Sequence, residues 1–506
     1  MHEGIDTELT RTQQLALWSV RQSASDLPHD VLELAKDCLL DHIAVALHGM
    51  RQPWSGFVAA QVEEEAGKAE ASVYGRGIRV PARAAALANG SAAHAFELDD
   101  WHGGSLSHLG ACVIPAVLAV AERHHLSGAR ALAAIVTGFE VMARCGMTVV
   151  PSVIIHGFHP TGTHGPMGAA AAVANLLQFT PAQATSAIAI AASCAGGLME
   201  FSQDPQGMMV KRFHAGRASE AGVVAANMAL RGMTGPRAAL DGKFGYSNVF
   251  SKAPRPELLT RGLGDDFEIR HNNIKLYACC GAMHAGIDIV QELRQSHAFG
   301  PEDVAQVVVG GNQSHLVRHS DPTPQTVMAA QYSMPYAIAV ALVGRALDPR
   351  MFDQGAWEDP MLMQLARLVR VELHPEVEKA YPDSLGCYVR ITLKNGRVLE
   401  NLRLAARGAG GDSIDRSGIL QKASALCAPF MDAVGMRRLF DSALTLERLD
   451  DVTQFADLMD NATSGSPRLA VAETTHLSNF AQPPLATVPH HDTPSSRRHD
   501  ESYPRF

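Results

Sequence analysis

A change of hydrophobic period at about residue 270 constrains this chain more than any other feature. Upstream, apolar residues recur at helix spacing in runs rich in alanine and glycine. Pro28 opens one helix, Val31, Leu34, Ala35, Cys38 and Leu39 follow on one face, and Gly49 supplies a stop. Thr180, Pro181 and Gln183 form a second start, with a capping hydroxyl, a first-turn proline and a reciprocal amide. Residues 111–123 and 216–230 read as further helices, the latter ended by Arg231 and Gly232. Downstream, residues 304–309 and 371–374 have strand character. Residues 389–393 alternate, and Asn395-Gly396 signals a two-residue hairpin before Val398. Helices over 286–295 and 335–344 lie among these strands, and helical periodicity returns from about 413 to 460. The expected fold is mainly α, with an α+β second domain. Residues 1–270 and 406–464 build a large all-helical domain, and residues 271–405 form an inserted, smaller α+β lid. From 465 onward the composition predicts a disordered tail.

A chain of 506 residues exceeds one simple core, which agrees with two domains. The net charge of −9 comes with no basic stripe, which argues against nucleic acid, although a locally basic pocket can still take an anion. None of the eight cysteines forms a Cys-x-x-Cys pair. Zinc-ribbon and thioredoxin chemistry are thereby excluded, and a reducing cytoplasm is expected. No signal peptide or membrane span is visible. Residues 73–77 hold too few glycines for a dinucleotide fingerprint.

Four islands of polar chemistry interrupt the apolar runs. Residues 96–108 crowd Glu97, Asp99, Asp100, His102 and His108 before a helix. Some of these acids could merely cap that helix, but a histidine beside a carboxylate is a tuned acid or base. His156, His159 and His164 surround Pro160 and two glycines. Their spacing admits proton transfer, substrate binding, a structural turn or a metal, yet no glutamate stands between them as in zinc proteases. Lys211, Arg212 and His214 precede the helix at 216 and suit carboxylate binding, or form an exposed basic turn. The stretch 274–284 ends in His284, either a core histidine or a base, and Tyr332 and Tyr336 flank Ser-Met-Pro. Both tyrosines can be explained by packing, and the functional alternative is that one hydroxyl enters the pocket.

Taken in order, the segments 83–94, 99–108, 157–163, 211–217, 231–236, 283–284 and 332–336 resemble the MmgE/PrpD family. Its members include 2-methylcitrate dehydratase-like lyases, cis-aconitate decarboxylase and iminodisuccinate epimerase. The resemblance implies a pocket between helical domain and lid, a homodimer, and neither metal nor organic cofactor. It implies His108, His159, Lys211, His284 and Tyr336 as catalytic residues, with Glu97, Trp101 and Arg212 binding substrate. Glu97 and Trp101 depart from the aspartate and threonine usual at those positions, and Leu109 replaces a proline. The implied chemistry is proton abstraction beside a carboxylate. The main expectation is a 2-methylcitrate dehydratase-like hydro-lyase of small polycarboxylates. The alternatives are a cis-aconitate-type decarboxylase, an iminodisuccinate-type epimerase, or a non-catalytic carboxylate-binding relative. A histidine-rich metal hydrolase is the reading from outside the family.

Overall fold

The computed structural model describes residues 9–204, 208–381, 384–408 and 414–463. The tail expected from 465 onward lies outside them.

The elements that position the site begin with helix α1 (His29–Gly49) and α2 (Ala82–Ala93), followed by the short strand β1 (Trp101–His102). Helices α3 (Leu109–His124), α4 (Gly128–Met147), α5 (Pro160–Leu176), α6 (Pro181–Ala192) and α7 (Val210–Leu230) complete the helical assembly. Thr180 caps α6 in a full capping box with Gln183, as its sequence predicts. Helix α7 starts six residues before the expected 216, so Lys211, Arg212 and His214 belong to its first two turns rather than to a turn ahead of it.

Small residues make the close packing possible. Helices α2 and α7 cross where Gly90 meets Gly216. A Cβ on Gly216 would lie 2.1 Å from the Leu87 carbonyl oxygen and 2.7 Å from the Ser91 nitrogen. Every residue of α5 is buried between its neighbours.

After β2 (Asn272–Asn273), which pairs antiparallel with β1, the chain enters the α+β part. Helix α8 (His284–Ser296) leads to strand β3 (Val304–Gly311), helix α9 (Met334–Leu342) and strands β4 (Val369–Leu373), β5 (Cys387–Leu393) and β6 (Val398–Arg403). The sheet order is β4-β3-β5-β6, with β3 and β4 parallel and the other pairs antiparallel. The hairpin is one residue longer than the Asn-Gly signal implies. The Leu393 nitrogen donates to the Arg397 carbonyl, leaving residues 394–396 as the loop with Gly396 left-handed at φ 86°. The chain then returns to helical structure, starting with α10 (Arg416–Cys427), which packs on α1. A large helical part with an α+β part is therefore the fold. Among the described residues no helix is long and apolar enough to cross a membrane.

Candidate active site

The site grows from the loop joining α2 to β1. Glu97 sits there in the left-handed region at φ 57°, a conformation that costs a non-glycine residue energy and recurs at functional sites. The loop is held from behind by Lys422 of α10, whose Nζ donates to the Leu98 carbonyl at 2.8 Å and pairs with Asp41 of α1 at 2.6 Å. On the other side Gln331 donates to the Phe96 carbonyl at 2.9 Å.

Three cations converge on the Glu97 carboxylate. Lys211 bonds Oε1, Arg212 reaches the same oxygen at 2.5 Å, and Lys275 reaches Oε2 at 3.1 Å. Burial would raise the Glu97 carboxyl, but Lys211, Lys275 and Arg212 hold it well below the usual range. Burial pulls the Lys211 ammonium below the ordinary lysine range despite Glu97. For Lys275, burial is outweighed by Glu97 and Asp99, which raise it. The Arg212 guanidinium also donates to Gln331 at 2.7 Å. The Tyr332 ring lies under the Lys211 ammonium, 5.4 Å from ring centre to Nζ.

Beside the cations lies a group of imidazoles ordered by one carboxylate. Asp99 Oδ2 meets His94 Nδ1 at 2.6 Å and His108 Nδ1 at 3.0 Å. His108 Nδ1 also faces the Asp100 carbonyl at 2.8 Å. Both rings therefore carry a proton on Nδ1, and the neutral His94 presents a lone pair at Nε2. Burial would raise Asp99, but the histidines hold it well down as an anion, and burial pushes His94 down to about 3, leaving it neutral. His159 stacks on His94, ring centres 5.7 Å apart, and its Nδ1 is 3.0 Å from Nδ1 of His214. Burial, then His94 and Lys211, keep His159 neutral. His94, Asp99 and His108 are close enough to surround a cation. Their contacts, however, are N–H to carboxylate hydrogen bonds, and a metal would require those nitrogens bare. We therefore read the trio as an acid/base device.

The structure thus brings together His108, His159, Lys211, Arg212 and Glu97. It adds Asp99 and Tyr332, which stand in the polar islands without an assigned role, and Lys275, His94 and Gln331, which are not among the sequence-derived candidates. Lys275 stands in the stretch 274–284, whose histidine is the more conspicuous group, and His94 closes the motif 83–94. Two residues go elsewhere. The Tyr336 hydroxyl donates to the Met351 carbonyl at 2.6 Å inside the α+β part, packed on Phe352, because Ser333 starts α9 so as to turn that face inward. His284 starts α8 with Nε2 3.3 Å from the Cys279 carbonyl and its ring against Tyr277, and burial lowers it to about 4. It feels the charge of Lys275 but is bonded outside the imidazole group. Trp101 lies half-buried with its indole over Gly281, where the loop meets the α+β part. The large groove of about 1050 Å³ between α1, α8 and α10 is lined by none of these side chains.

The MmgE/PrpD N-terminal domain matches residues 13–259, and the MmgE/PrpD C-terminal domain matches residues 277–446. The chain belongs to the MmgE/PrpD family. It is similar to the cis-aconitate decarboxylase-like protein oryM of Aspergillus oryzae, 28% identical over 88% of this chain and 97% of that protein. The cis-aconitate decarboxylase of Aspergillus terreus is 29% identical, over 89% and 96% respectively. The human cis-aconitate decarboxylase is 23% identical, over 85% and 90%. Membership with these relatives supports a lyase of the MmgE/PrpD type. Among the sequence-derived readings they favour the decarboxylase alternative over the dehydratase.

Proposed function

We propose that this MmgE/PrpD protein is a decarboxylase of cis-aconitate or a closely related unsaturated tricarboxylate. The observation that carries the reading is the convergence of Lys211, Arg212 and Lys275 beside the Asp99-ordered imidazoles. Three cations face two carboxylates there, so a polyanion finds uncompensated positive charge in a desolvated setting, where each ion pair is stronger than in water.

In this reading the cations hold the carboxylates that stay on the substrate. The bond to the departing carboxylate breaks, CO₂ leaves, and the electron pair spreads into the adjacent alkene. Lys211 and Arg212 offset the charge that develops on the retained carboxylate. An imidazole first takes up one proton from solution and then delivers it to carbon. The product is a five-carbon unsaturated dicarboxylate. His159 and His108 are the donors we assign, because Asp99 holds His108 and His159 stacks on His94 beside it.

The test is proton NMR with cis-aconitate and 2-methylcitrate offered separately to the full chain. New vinylic signals with CO₂ release from cis-aconitate are expected. Water loss from 2-methylcitrate without CO₂ release from cis-aconitate would instead establish the dehydratase.

A further inference from the structure

His214 lies on α7, one turn beyond Lys211, and the mechanism above uses it only as a neighbour. Its Nδ1 is 3.0 Å from His159 Nδ1, with ring centres 5.1 Å apart. Phe201 packs edge-on against both rings. Gly162, and Gly197 at φ 102°, leave the floor under His214 free of side chains, since a Cβ at Gly197 would stand 3.3 Å from His214 Nδ1. The His159 backbone is pinned as well: its nitrogen donates to Gly197 at 2.9 Å, and its carbonyl accepts from Thr163 at 2.8 Å.

Two neutral imidazoles bond through Nδ1 only when one carries the proton and the other does not. Their tautomers are therefore opposed and coupled. When His159 carries Nδ1–H, its Nε2 is the nitrogen left for substrate chemistry.

We propose that His214 is a positioning residue for His159, fixing its tautomer and sharing the added proton when the pair is charged. This rests on the decarboxylase reading for its kinetic consequence, but not for the ring pairing itself. In the charged pair the Nδ1–H of His159 donates to His214, and His159 Nε2–H is the transferable proton. It passes to the substrate carbon as the electron pair freed by C–C cleavage forms the new C–H bond. One solvent proton per CO₂ released restores the pair.

The groups facing the pair are His94 from α2, His108 before α3, and Lys211 from α7. All disfavour added charge. Burial, then Lys211, lowers His214 to about 4. A bound polyanion offsets Lys211 and brings the pair into a useful range.

The experiment uses the full chain with cis-aconitate, comparing parent, His214→Phe and His214→Gln. His214→Phe should lower kcat about 100-fold with little change in KM. It should also move the high-pH fall of kcat to lower pH, because His159 alone holds its proton less firmly. His214→Gln, which can still bond Nδ1, should recover part of the loss, and it serves if the phenylalanine variant does not fold. ¹⁵N-histidine NMR of the ligand-free protein provides the second readout, in which the fixed tautomer of His159 should be lost in His214→Phe. An inactive parent whose tautomer is nonetheless lost in the variant would refute the decarboxylase reading and keep the positioning role. An active parent whose His214→Phe variant keeps kcat, pH profile and tautomer would overturn the proposal.

Discussion

Tyr332 and Tyr336 stand four residues apart with opposite surroundings, and the contrast tests the site at the scale of single atoms. Tyr332 carries its ring under the Lys211 ammonium, and burial and then Glu97 push its phenol well up. Tyr336 spends its hydroxyl on the Met351 carbonyl. Tyr336→Phe should leave kcat within about two-fold while lowering stability by about 1–2 kcal/mol, the cost of an unmade buried hydrogen bond. Tyr332→Phe should do the reverse, lowering kcat about ten-fold or more with the unfolding midpoint unchanged. Urea melts and turnover on both variants decide it, and a swap of the two phenotypes would return Tyr336 to the site. Sequence alone identifies this segment but not which tyrosine faces Lys211, because that depends on where α9 turns its buried face. Lys211, His108 and His159 are legible as chemistry beside glycine and proline. Lys275 is not, because a single lysine between apolar residues looks like a solvated side chain.

At the scale of elements, the site depends on how closely α2 and α7 approach. His94 ends one helix, Lys211, Arg212 and His214 begin the other, and Gly90 against Gly216 sets the distance between them. Gly216→Val would drive side-chain carbon into the Leu87 carbonyl and the Ser91 backbone, which cannot yield as a flexible side chain does. We expect at least about 3 kcal/mol of destabilisation and loss of turnover, measured by chemical unfolding and assay. Gly232, at φ 100° beyond the end of the helix, meets nothing and would pay only for its backbone conformation. The start of α6 was readable because its capping box is local. The start of α7 was not. Lysine, arginine and histidine resemble a surface turn, whereas in the fold Lys211 and Arg212 are buried by partners more than a hundred residues away in Glu97 and Gln331.

For the whole molecule the prominent electrostatic property is a population of buried neutral histidines. Burial lowers His42, His94, His164 and His319 to about 3, and His284 and His315 to about 4. Each contributes stability present above the unfolded value near 6.5, and that stability is lost as pH falls toward the folded value. Burial acts in the opposite sense on Asp100, Glu122 and Glu140, each raised to about 7. Their contribution is present below about 4 and lost as pH rises through 7. Between pH 6.5 and 5 the six histidines outweigh the three acids, so unfolding takes up protons and the melting temperature should fall on acidification. Calorimetry across that range checks the sign, and a rising Tm would contradict it. The two-part architecture was visible from the change of hydrophobic period. The convergence of charges from loop, α7 and residues 272–284 was not, because it exists only after long-range packing.

The account stands or falls on whether the three converging cations hold a tricarboxylate while it loses CO₂. The most direct measurement follows ¹³C-carboxyl-labelled cis-aconitate with the parent, Lys211→Met and Lys275→Met. Labelled CO₂ should appear with the parent, together with one proton consumed for each CO₂ swept from solution. Each methionine variant should lower kcat/KM about 100-fold or more, the loss of one desolvated ion pair to the substrate. Release of CO₂ that is indifferent to both lysines, or none from the parent, would contradict the account.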